Sequence, residues 1–596
     1  MKALRTLNHY IWRYKWHLLL GIGFVFFSNY FRVWQPQVIR EGLDLALEQI
    51  KSYQEISDSQ ARSAMYREIS FSLLKHGGLV LLLALTMGVL MFFMRQTMVV
   101  MSRLIEYDMR KDIFAHYEDL DAGFYNEQKT GDLMSRITED VSKVRMYLGP
   151  GLLYGINLTS LFALVITSML SVSPKLTLYS LLPLPVLSIS IYLVSDIINK
   201  RSGIIQKQLS HLTSIAQEVF SGIRVIKSYV QEKAFSRYFR KESNIYKNKS
   251  LDLAQVNALF FPLIIFLIGL SNVLVIYIGG IEVNNGNITP GNIAEFIIYV
   301  NMLTWPVTSI GWIASIVQQA EASQERINEF LNTEPAIQNT SEEYEKFKGH
   351  IEFRNVTLRY PDNGIIGLKE ADFEILPGEK IAIIGQTASG KSTLASLLLR
   401  LYDPTSGQIL IDGSDIRDVN LYRLRKSIGY VPQDVFLFSD TIANNIAFGL
   451  EESNDNRIKK YADHAAVGDD IRDFKHGFDT MIGERGVMLS GGQKQRISIA
   501  RALIKEPEIV ILDDCLSAVD AKTEKEIVEF LEDELKDKTT IMITHRIPHG
   551  MSFDKIITLD NGEVVEFGHP ENLENSGGYY NRLLTDIIED PEESSL

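Results

Sequence analysis

Long apolar runs and short alternating ones divide this chain into two halves of different character. The first half holds six apolar runs, each close to the roughly 20 residues that a helix needs to cross a bilayer. They lie near residues 16–39, 78–94, 151–172, 176–198, 256–279 and 293–317. One such run alone would fit a buried helix of a soluble protein. Six in one half of the chain predict a helical membrane domain with six spans.

Basic residues between the runs indicate which ends face the cytoplasm. The connections 95–150 and 200–255 are rich in Lys and Arg, whereas 280–290 has neither. Under the positive-inside rule, these two connections, both termini and the whole second half are predicted to be cytoplasmic. The pattern within each connection is helical. A helical hairpin built from one of them extends on the order of 40 Å beyond the membrane at 1.5 Å per residue.

The second half alternates short apolar strands with helical segments. Such alternation predicts a parallel sheet with its functional site at the carboxyl ends of the strands. With 596 residues, the chain also exceeds the size of one ordinary domain. We predict a transmembrane domain over 1–334, a polar linker over 335–348, an α/β domain over 349–585 and an acidic tail over 586–596.

Charge separates the halves further. Residues 351–596 hold 27 Lys and Arg against 44 Asp and Glu, a net charge of −17, so the chain's total of −14 leaves +3 for residues 1–350. An acidic second half argues against nucleic acid as a partner. Cys515 is the only cysteine, so no intrachain disulfide can form, and we expect it to be a small packing residue.

A phosphate-binding loop follows the first buried strand of the second half. The pattern GxxxxGK[ST] lies between an apolar strand and a helix, which is the context that this loop requires. Its glycines allow backbone N–H groups to surround phosphate, Lys391 supplies a positive charge, and the Ser392 hydroxyl can bind Mg²⁺. The predicted nucleotide-binding residues here are Gly385, Gln386, Thr387, Ala388, Ser389, Gly390, Lys391, Ser392 and Thr393.

Two further strands deliver polar side chains to the same predicted edge. Asp513 ends the apolar strand 509–512, where such folds hold Mg²⁺. Asp514 follows it, in a position to orient or deprotonate an attacking water. His545 follows the strand 541–544 and is predicted to contact the γ-phosphate, although a single histidine at a strand end is often structural.

A second phosphate-reading element appears in Leu489-Ser490-Gly491-Gly492-Gln493, which precedes a helical segment. Ser490 is predicted to cap that helix, and the glycines allow close backbone approach at its positive end. One chain with two such elements must either fold one onto the other or meet a second copy.

Together these motifs identify the sequence as a member of the ATP-binding cassette exporters of the half-transporter type. The resemblance covers nearly the whole chain. It implies a dimer in which each ATP lies between one chain's phosphate loop and Ser490, Gly491, Gly492 and Gln493 of the other chain. It also implies that Tyr360 stacks on adenine and that Gln433 contacts Mg²⁺ and the membrane domain. By the same resemblance, the first and second intracellular loops correspond to residues 130–140 and 217–229. The resemblance also implies that the loop 517–520 communicates across the dimer and that the loop 483–486 senses the long intracellular helices.

One residue departs from the family pattern. Most members have Glu where this chain has Asp514. The Asp side chain is one methylene shorter, which withdraws the carboxylate by roughly 1 to 1.5 Å. A misplacement of about 1 Å can lower the rate on the order of 10²-fold. The pattern resembles the subunit of a heterodimeric exporter that has one weakened site. We therefore favour a heterodimer over a homodimer.

The predicted function is ATP-driven export of a hydrophobic or amphipathic drug, lipid or peptide across the cytoplasmic membrane. A regulatory subunit that binds ATP without pumping and an ATP-gated channel are the alternatives. The catalytic residues are predicted to be Asp514, His545, Lys391 and Gln433, with Ser392, Gln433 and Asp513 as Mg²⁺ ligands. Polar residues within the spans are candidates for the substrate pathway, although Arg32 and Asp196 also suit a position at the headgroups. These candidates are Asn29, Arg32, Asn157, Asp196, Asn272, Asn301 and Trp305.

Overall fold

The computed structural model describes residues 2–55, 58–342, 346–452, 454–483 and 489–589. Three predictions fall partly outside this range: residues 484–486 of the predicted exporter loop, 343–345 of the predicted linker and 590–596 of the predicted tail. The chain forms two compact units, Met1–His116 with Leu133–Thr333, and Tyr117–Asp132 with Glu334–Leu596. The short piece Tyr117–Asp132 thus groups with the second half of the chain, although it lies between two apolar runs in the sequence.

The first 333 residues are almost entirely helical. Their α-helices are α1 Asn8–Arg13, α2 Lys15–Glu55, α3 Ser59–Asp119, α4 Ala122–Glu127, α5 Thr130–Ser135, α6 Val141–Met146, α7 Leu152–Val172, α8 Pro174–Leu181, α9 Pro183–Ser221, α10 Ile223–Ser228, α11 Glu232–Asn284 and α12 Pro290–Leu331. Two π-helical turns, Arg136–Asp140 and Tyr147–Gly151, flank α6. Both predicted hairpins are confirmed as helical, and the short helices α4 and α10 lie where they turn.

Five helical segments of the described chain are long and apolar enough to cross a membrane. They are Gln60–Asp119, Thr130–Val172, Pro174–Ser221, Glu232–Asn284 and Pro290–Leu331. The predicted first span lies on α2, which is not among the five. Asn29 and Arg32 interrupt its apolar stretch and lower its mean hydropathy. The predicted number of six spans is therefore not confirmed.

The second unit is built on two sheets. Its strands are β1 Ile351–Arg359, β2 Ile366–Ile375, β3 Lys380–Gly385, β4 Ser406–Ile411, β5 Ser414–Asp415, β6 Ile428–Val431, β7 Ile509–Asp513, β8 Thr539–Ile543, β9 Lys555–Asp560 and β10 Glu563–Gly568. Strands β2-β1-β4-β5 form an antiparallel sheet, and β10-β9-β3-β8-β7-β6 form the second sheet. Within the second, β3, β6, β7, β8 and β9 run parallel, as the sequence predicted.

Helices complete the second unit and enclose its core. They are α13 Lys391–Leu398, α14 Leu421–Ser427, α15 Ile442–Ala447, α16 Asp455–His464, α17 Gly468–Asp473, α18 Gly491–Leu503, α19 Ala521–Glu534, α20 Pro570–Asn575 and α21 Tyr579–Glu589. Strands β3, β7 and β8 are buried along their whole length, which explains the apolar residues at their centres. Cys515 is buried in this core, and burial raises the pKa of its thiol to about 12. It is therefore a packing residue, as predicted.

Candidate functional site

The phosphate loop connects the buried strand β3 to helix α13. Gly390 has a φ of +101°, a left-handed conformation that glycine adopts without steric penalty. Close packing also excludes side chains, because a Cβ on Gly385 would lie 2.2 Å from the Leu559 carbonyl oxygen and one on Gly390 would lie 2.2 Å from that of Gly367. The loop therefore forms a tight backbone cradle at the start of a helix.

Lys391 lies inside this cradle. Its ammonium donates hydrogen bonds of 2.7 Å to the carbonyl oxygens of Gly385 and Gln386, and the residue is buried. Burial lowers the pKa of Lys391, while the carboxylates of Asp513 and Asp514 oppose that change. In the described part of the chain, the buried Ser389 hydroxyl oxygen has no hydrogen-bond partner. A buried cation beside an unsatisfied hydroxyl and a glycine cradle fits a polyphosphate anion.

Asp513 and Ser392 form the part of the site that suits a divalent cation. Asp513 is buried at the end of β7, and burial raises the pKa of its carboxyl, whereas a hydrogen bond with Ser392 opposes the increase. The described residues contain no group of three His, Cys, Asp or Glu side chains arranged around a metal site. A hydroxyl, a carboxylate and the side-chain oxygen of Gln433 fit Mg²⁺, which takes few protein ligands and completes its shell with water and phosphate oxygens.

Asp514 has an unusual backbone conformation. Its φ is +48°, in the left-handed region that Asp and Asn tolerate better than most other residues. Its amide donates a 2.8 Å hydrogen bond to the carbonyl of Ile543, and its own carbonyl accepts a 2.9 Å bond from the Ser517 hydroxyl. The backbone of Asp514 is therefore fixed at the end of β7, with the end of β8 beside it.

His545 follows β8 on the same edge of the sheet. Burial and the positive charge of Lys391 lower the pKa of its imidazole. The ring is consequently neutral at pH 7, where each nitrogen has one role, either donor or acceptor.

Tyr360 forms the other end of the cavity. Its hydroxyl shares a 3.0 Å hydrogen bond with the hydroxyl of Thr393. The ring of Tyr402 meets it edge to face, with centroids 5.2 Å apart and planes at 86°. Tyr402 in turn accepts a 2.6 Å hydrogen bond from the side chain of Asn126, which belongs to the same unit. No motif singles out Tyr402, because its contact with Tyr360 arises only in the folded domain, where the chain after α13 passes beside the Tyr360 ring.

These elements enclose one cavity of about 270 Å³. Most of the predicted site residues line it: Tyr360, Thr387, Ala388, Ser389, Gly390, Lys391, Ser392, Thr393, Gln433, Asp513, Asp514 and His545. Gly385 and Gln386 lie behind it and hold Lys391 through their carbonyl groups. Residues from the ends of β3, β7 and β8 therefore meet at one place, as a parallel sheet requires.

The segment Ser490–Gln493 is separate from this cavity and begins helix α18. The predicted cap is confirmed: the Ser490 hydroxyl accepts from the Gln493 amide at 3.2 Å, and the Gln493 side chain accepts from the Ser490 amide at 3.1 Å. Ser490 and Gly491 are exposed, so the positive end of the helix faces outward. None of Ser490, Gly491, Gly492 or Gln493 lines the cavity of its own chain.

Gln495, which the sequence analysis missed, links this helix to the turn that contains Asp514. Its amide nitrogen donates to the Ser517 hydroxyl at 3.1 Å and to the Asp514 carbonyl at 3.4 Å. Its amide oxygen accepts from the Ala518 amide at 3.1 Å. The available signal was a glutamine on the face of α18 that buries Ile499 and Ala502.

Two families match the chain in succession. Residues 18–307 match the family described as ABC transporter transmembrane region, and residues 368–517 match the one described as ABC transporter. Among similar proteins, a probable multidrug resistance ABC transporter ATP-binding/permease protein of Bacillus subtilis, YheI, is 36% identical over 85% of this chain and 87% of the relative. The multidrug resistance-like ATP-binding protein MdlA of Escherichia coli is 35% identical over 84% of this chain and 85% of the relative.

An ATP-dependent lipid A-core flippase of Syntrophus aciditrophicus is 33% identical over 85% of this chain and 84% of the relative. The solved structure of a bacterial Atm1-family ABC exporter with ATP bound has a TM-score of 0.76 at 23% identity. That alignment covers 97% of this chain and 98% of the other. The two proteins therefore share a fold along almost their whole length.

Proposed function

Because the chain belongs to the ABC transporter family, with an exporter-type transmembrane region followed by an ATP-binding domain, we propose that it is one half of an ATP-driven exporter of hydrophobic or amphipathic molecules. The observation that supports this best is the single cavity that Lys391, Asp513 and Asp514 share. In this proposal the domains run over 1–334, 335–348 and 349–585, with the acidic tail after them. The protein is a multi-pass membrane protein, and its ATP-binding domain and both termini face the cytoplasm.

ATP occupies the cavity between Tyr360 and the phosphate loop. The Tyr360 ring stacks on adenine, and the residues Gly385–Thr393 surround the phosphates with backbone amides and the Lys391 ammonium. Lys391 leaves the Gly385 and Gln386 carbonyls to reach the outer phosphates. Ser392, Gln433 and Asp513 hold Mg²⁺, which, when bound, neutralises charge on the phosphates.

Asp514 and His545 act on the attacking water and the terminal phosphate. The Asp514 carboxylate orients the water and accepts its proton, and the neutral His545 donates a hydrogen bond to a phosphate oxygen. Asp514 reaches less far than a Glu would from the same backbone position, which reduces the rate at this site.

A second half-transporter completes each site. Ser490, Gly491, Gly492 and Gln493 lie outside their own cavity, and the exposed end of α18 suits a phosphate held by another chain. The second hairpin also exposes large apolar side chains at its turn, among them Phe220, Tyr229 and Val230 at 72–78% exposure. Exposed apolar groups of this kind suit a protein contact. We favour a heterodimer, in which the partner's site carries most of the turnover.

The substrate class rests on the apolar spans and on the relatives, which are named as multidrug and lipid A-core transporters. Within the membrane unit, the Tyr154 ring lies 5.4 Å from those of both Trp305 and Trp312. Trp305 and Trp312 remain about half exposed. An aromatic surface of this kind suits a drug or lipid with flat or apolar parts, so Asn301 and Trp305 stay proposed pathway residues.

The other polar candidates differ in their contacts. Asn29 donates to the Asn157 side chain at 3.0 Å and to Ser160 at 2.6 Å, so this pair joins α2 to α7. Asp196 pairs with Lys200 at 2.7 Å. The Asn272 side-chain oxygen is buried and has no hydrogen-bond partner among the residues that the structure describes. Of these, Asn272 retains the strongest claim to a substrate contact.

Reconstitution tests the proposal. Purified protein with its co-purifying partner is placed in vesicles with the ATP-binding domain outside, and uptake of a fluorescent amphipathic compound is measured with ATP and with a non-hydrolysable analogue. Export predicts uptake with ATP alone. Hydrolysis without movement of any of a drug, a lipid or a peptide substrate would contradict it.

A further inference from the structure

Three arginines surround one buried glutamate beside the inner ends of two spans. Glu106 on α3 is 7% exposed and accepts from Arg103 at 2.9 Å and from Arg110 at 2.8 Å. Arg145 on α6 brings its Nε to 3.5 Å from the same carboxylate. Each Glu106 oxygen thus already has an arginine partner, and the group of four side chains holds a net charge of +2. We name it the Glu106 cluster.

Arg145 is the least satisfied member of the Glu106 cluster. Within the described chain its buried Nε has no hydrogen-bond partner, and its 3.5 Å approach to Glu106 is longer than those of Arg103 and Arg110. Among the described residues, the charged groups that act on Arg145 are Arg103, Arg110 and Glu106, so Glu106 is the one carboxylate that acts on this guanidinium. A guanidinium has five donors in a planar fork that matches the oxygens of phosphate. The side chain of Arg145 is 16% exposed, whereas the side chains of Arg103 and Arg110 are 61% and 47% exposed. An anion can therefore reach the cluster from solvent.

The position of the cluster indicates where such an anion would come from. The apolar run on α3 ends near residue 94 and that on α7 begins near 151, so Arg103 and Arg145 lie about 14 and 9 Å along their helices beyond those ends at 1.5 Å per residue. Headgroup layers extend roughly 5 to 8 Å beyond the hydrocarbon on each side. Arginine side chains extend toward headgroups from such positions. A lipid phosphate at the inner surface lies within reach of Arg103 and Arg145.

We propose that Arg103, Arg110 and Arg145 form a binding site for a phosphate-type anion, the headgroup of an anionic phospholipid or a soluble phosphate. Glu106 orders the three arginines in the absence of the anion, and the two unused charges attract it. The inference rests on the proposed membrane orientation and not on the ATP site. It can therefore fail while export stands, and it can hold in a chain that does not pump.

Lipid association measured on the full-length protein tests the site. Wild type and variants are reconstituted in nanodiscs of phosphatidylcholine with and without phosphatidylglycerol, and the first lipid shell is quantified with spin-labelled phosphatidylglycerol. Arg145→Gln is expected to weaken the preference for the anionic lipid by about fivefold, the effect of one basic residue near an anionic surface. Lys111→Gln is the matched control, because Lys111 is an exposed cation on the same helix outside the cluster, and we expect it to change the preference less than twofold.

Glu106→Gln moves the result in the opposite direction. It removes the competing carboxylate and raises the cluster to +3, so the preference for phosphatidylglycerol should increase about fivefold. If the cluster only held α3 and α6 together, Glu106→Gln would lower thermal stability equally in both lipids and leave the preference unchanged, which would overturn the proposal. Equal losses in Arg145→Gln and Lys111→Gln would also overturn it.

The source of the anion is distinguished in detergent. Thermal unfolding of wild type and Arg145→Gln is recorded in millimolar pyrophosphate and in sodium chloride of equal ionic strength. Pyrophosphate bound at the phosphate loop stabilises both proteins equally, so it cancels when the stabilisation of Arg145→Gln is subtracted from that of wild type. A stabilisation that depends on Arg145 identifies a soluble phosphate, and one seen only with phosphatidylglycerol identifies a lipid. Absence of both overturns the proposal. If Arg145→Gln does not fold, Arg103→Gln replaces it, because that side chain is mostly exposed.

Discussion

The Lys391 ammonium donates a 2.7 Å hydrogen bond to the carbonyl oxygen of Gly385, in the loop that precedes it. The lysine is thus held by the same loop whose amides are proposed to bind phosphate. In the proposed function, the flexible Lys391 side chain exchanges these carbonyl oxygens for phosphate oxygens while the loop keeps its conformation. This relationship makes Lys391 the most direct test of the nucleotide site.

Lys391→Ala is expected to reduce ATP hydrolysis and ATP-driven uptake by on the order of 10²-fold or more, since it removes a positive charge from the transferred phosphate. Both are measured in reconstituted vesicles. The control is Lys459→Ala, which removes an exposed lysine of α16 and should leave both within twofold. Normal uptake by Lys391→Ala would show that this loop does not drive transport.

The ring contact of Tyr402 with Tyr360 predicts an effect on nucleotide affinity. Tyr402→Ala removes an aromatic pair and should weaken ATP binding about three- to tenfold. Tyr402→Phe keeps the ring and loses only the hydroxyl that accepts from Asn126, so its affinity should stay within twofold of wild type. Equilibrium binding of a fluorescent ATP analogue measures both. Equal affinities of the two variants would mean that the ring contact does not position Tyr360.

Local and distant contacts explain what the sequence could predict. The Ser490 cap depends on a bond to Gln493 three residues away, and the phosphate loop lies between the strand and helix that position it, so both were predictable. Asn126 and Tyr402 are 276 residues apart, and Gln495 reaches residues 19 to 23 positions away, so no local pattern signals these contacts. The count of six spans was not confirmed for another reason: Asn29 and Arg32 lower the mean hydropathy of α2, so length and hydropathy alone do not identify it as a span.

Gln495 is predicted to stabilise the turn after β7. Gln495→Ala removes three hydrogen bonds around Ser517, Ala518 and the Asp514 carbonyl, and should lower the free energy of unfolding by about 1 to 3 kcal/mol. Gln495→Glu keeps an acceptor for the Ala518 amide but loses the donor, so it should fall between wild type and Gln495→Ala. Thermal unfolding with and without ATP measures this. Wild-type stability in Gln495→Ala would exclude a role for these bonds.

Substrate selection is predicted to depend on the face of α12 that carries Asn301 and Trp305. Replacing both by Ala removes one half of the aromatic contact with Tyr154 and should change the ratio of uptake rates for two dissimilar substrates by more than threefold, by analogy with pocket discrimination of about 1 to 3 kcal/mol. Basal ATP hydrolysis should change much less. Unchanged uptake kinetics for every substrate would remove both residues from the pathway.

The conformation of Asp514 determines how its role can be tested. Alanine at a φ of +48° adds roughly 1 to 2 kcal/mol of backbone strain, whereas Asn tolerates the left-handed region and removes only the charge. Asp514→Asn is therefore the clean variant, and Asp514→Ala the harsher one. Asp514→Glu restores the length that most of the family has, but it does so at a backbone position that disfavours Glu.

In a heterodimer, the partner's carboxylate faces Ser490–Gln493 of this chain and carries most of the turnover. Asp514→Asn should then cost less than threefold in steady-state ATP hydrolysis of the complex, whereas Ser490→Arg should cost more than tenfold because it blocks the helix end that meets the partner's nucleotide. Ser490→Asn keeps a helix cap and controls for the loss of α18 stability. In a homodimer both sites depend on Asp514, so Asp514→Asn should abolish hydrolysis. Steady-state ATP hydrolysis of the chain expressed alone separates the heterodimer from the homodimer. Rapid, transport-coupled hydrolysis that disappears in Asp514→Asn would establish Asp514 as the catalytic carboxylate and refute the heterodimer.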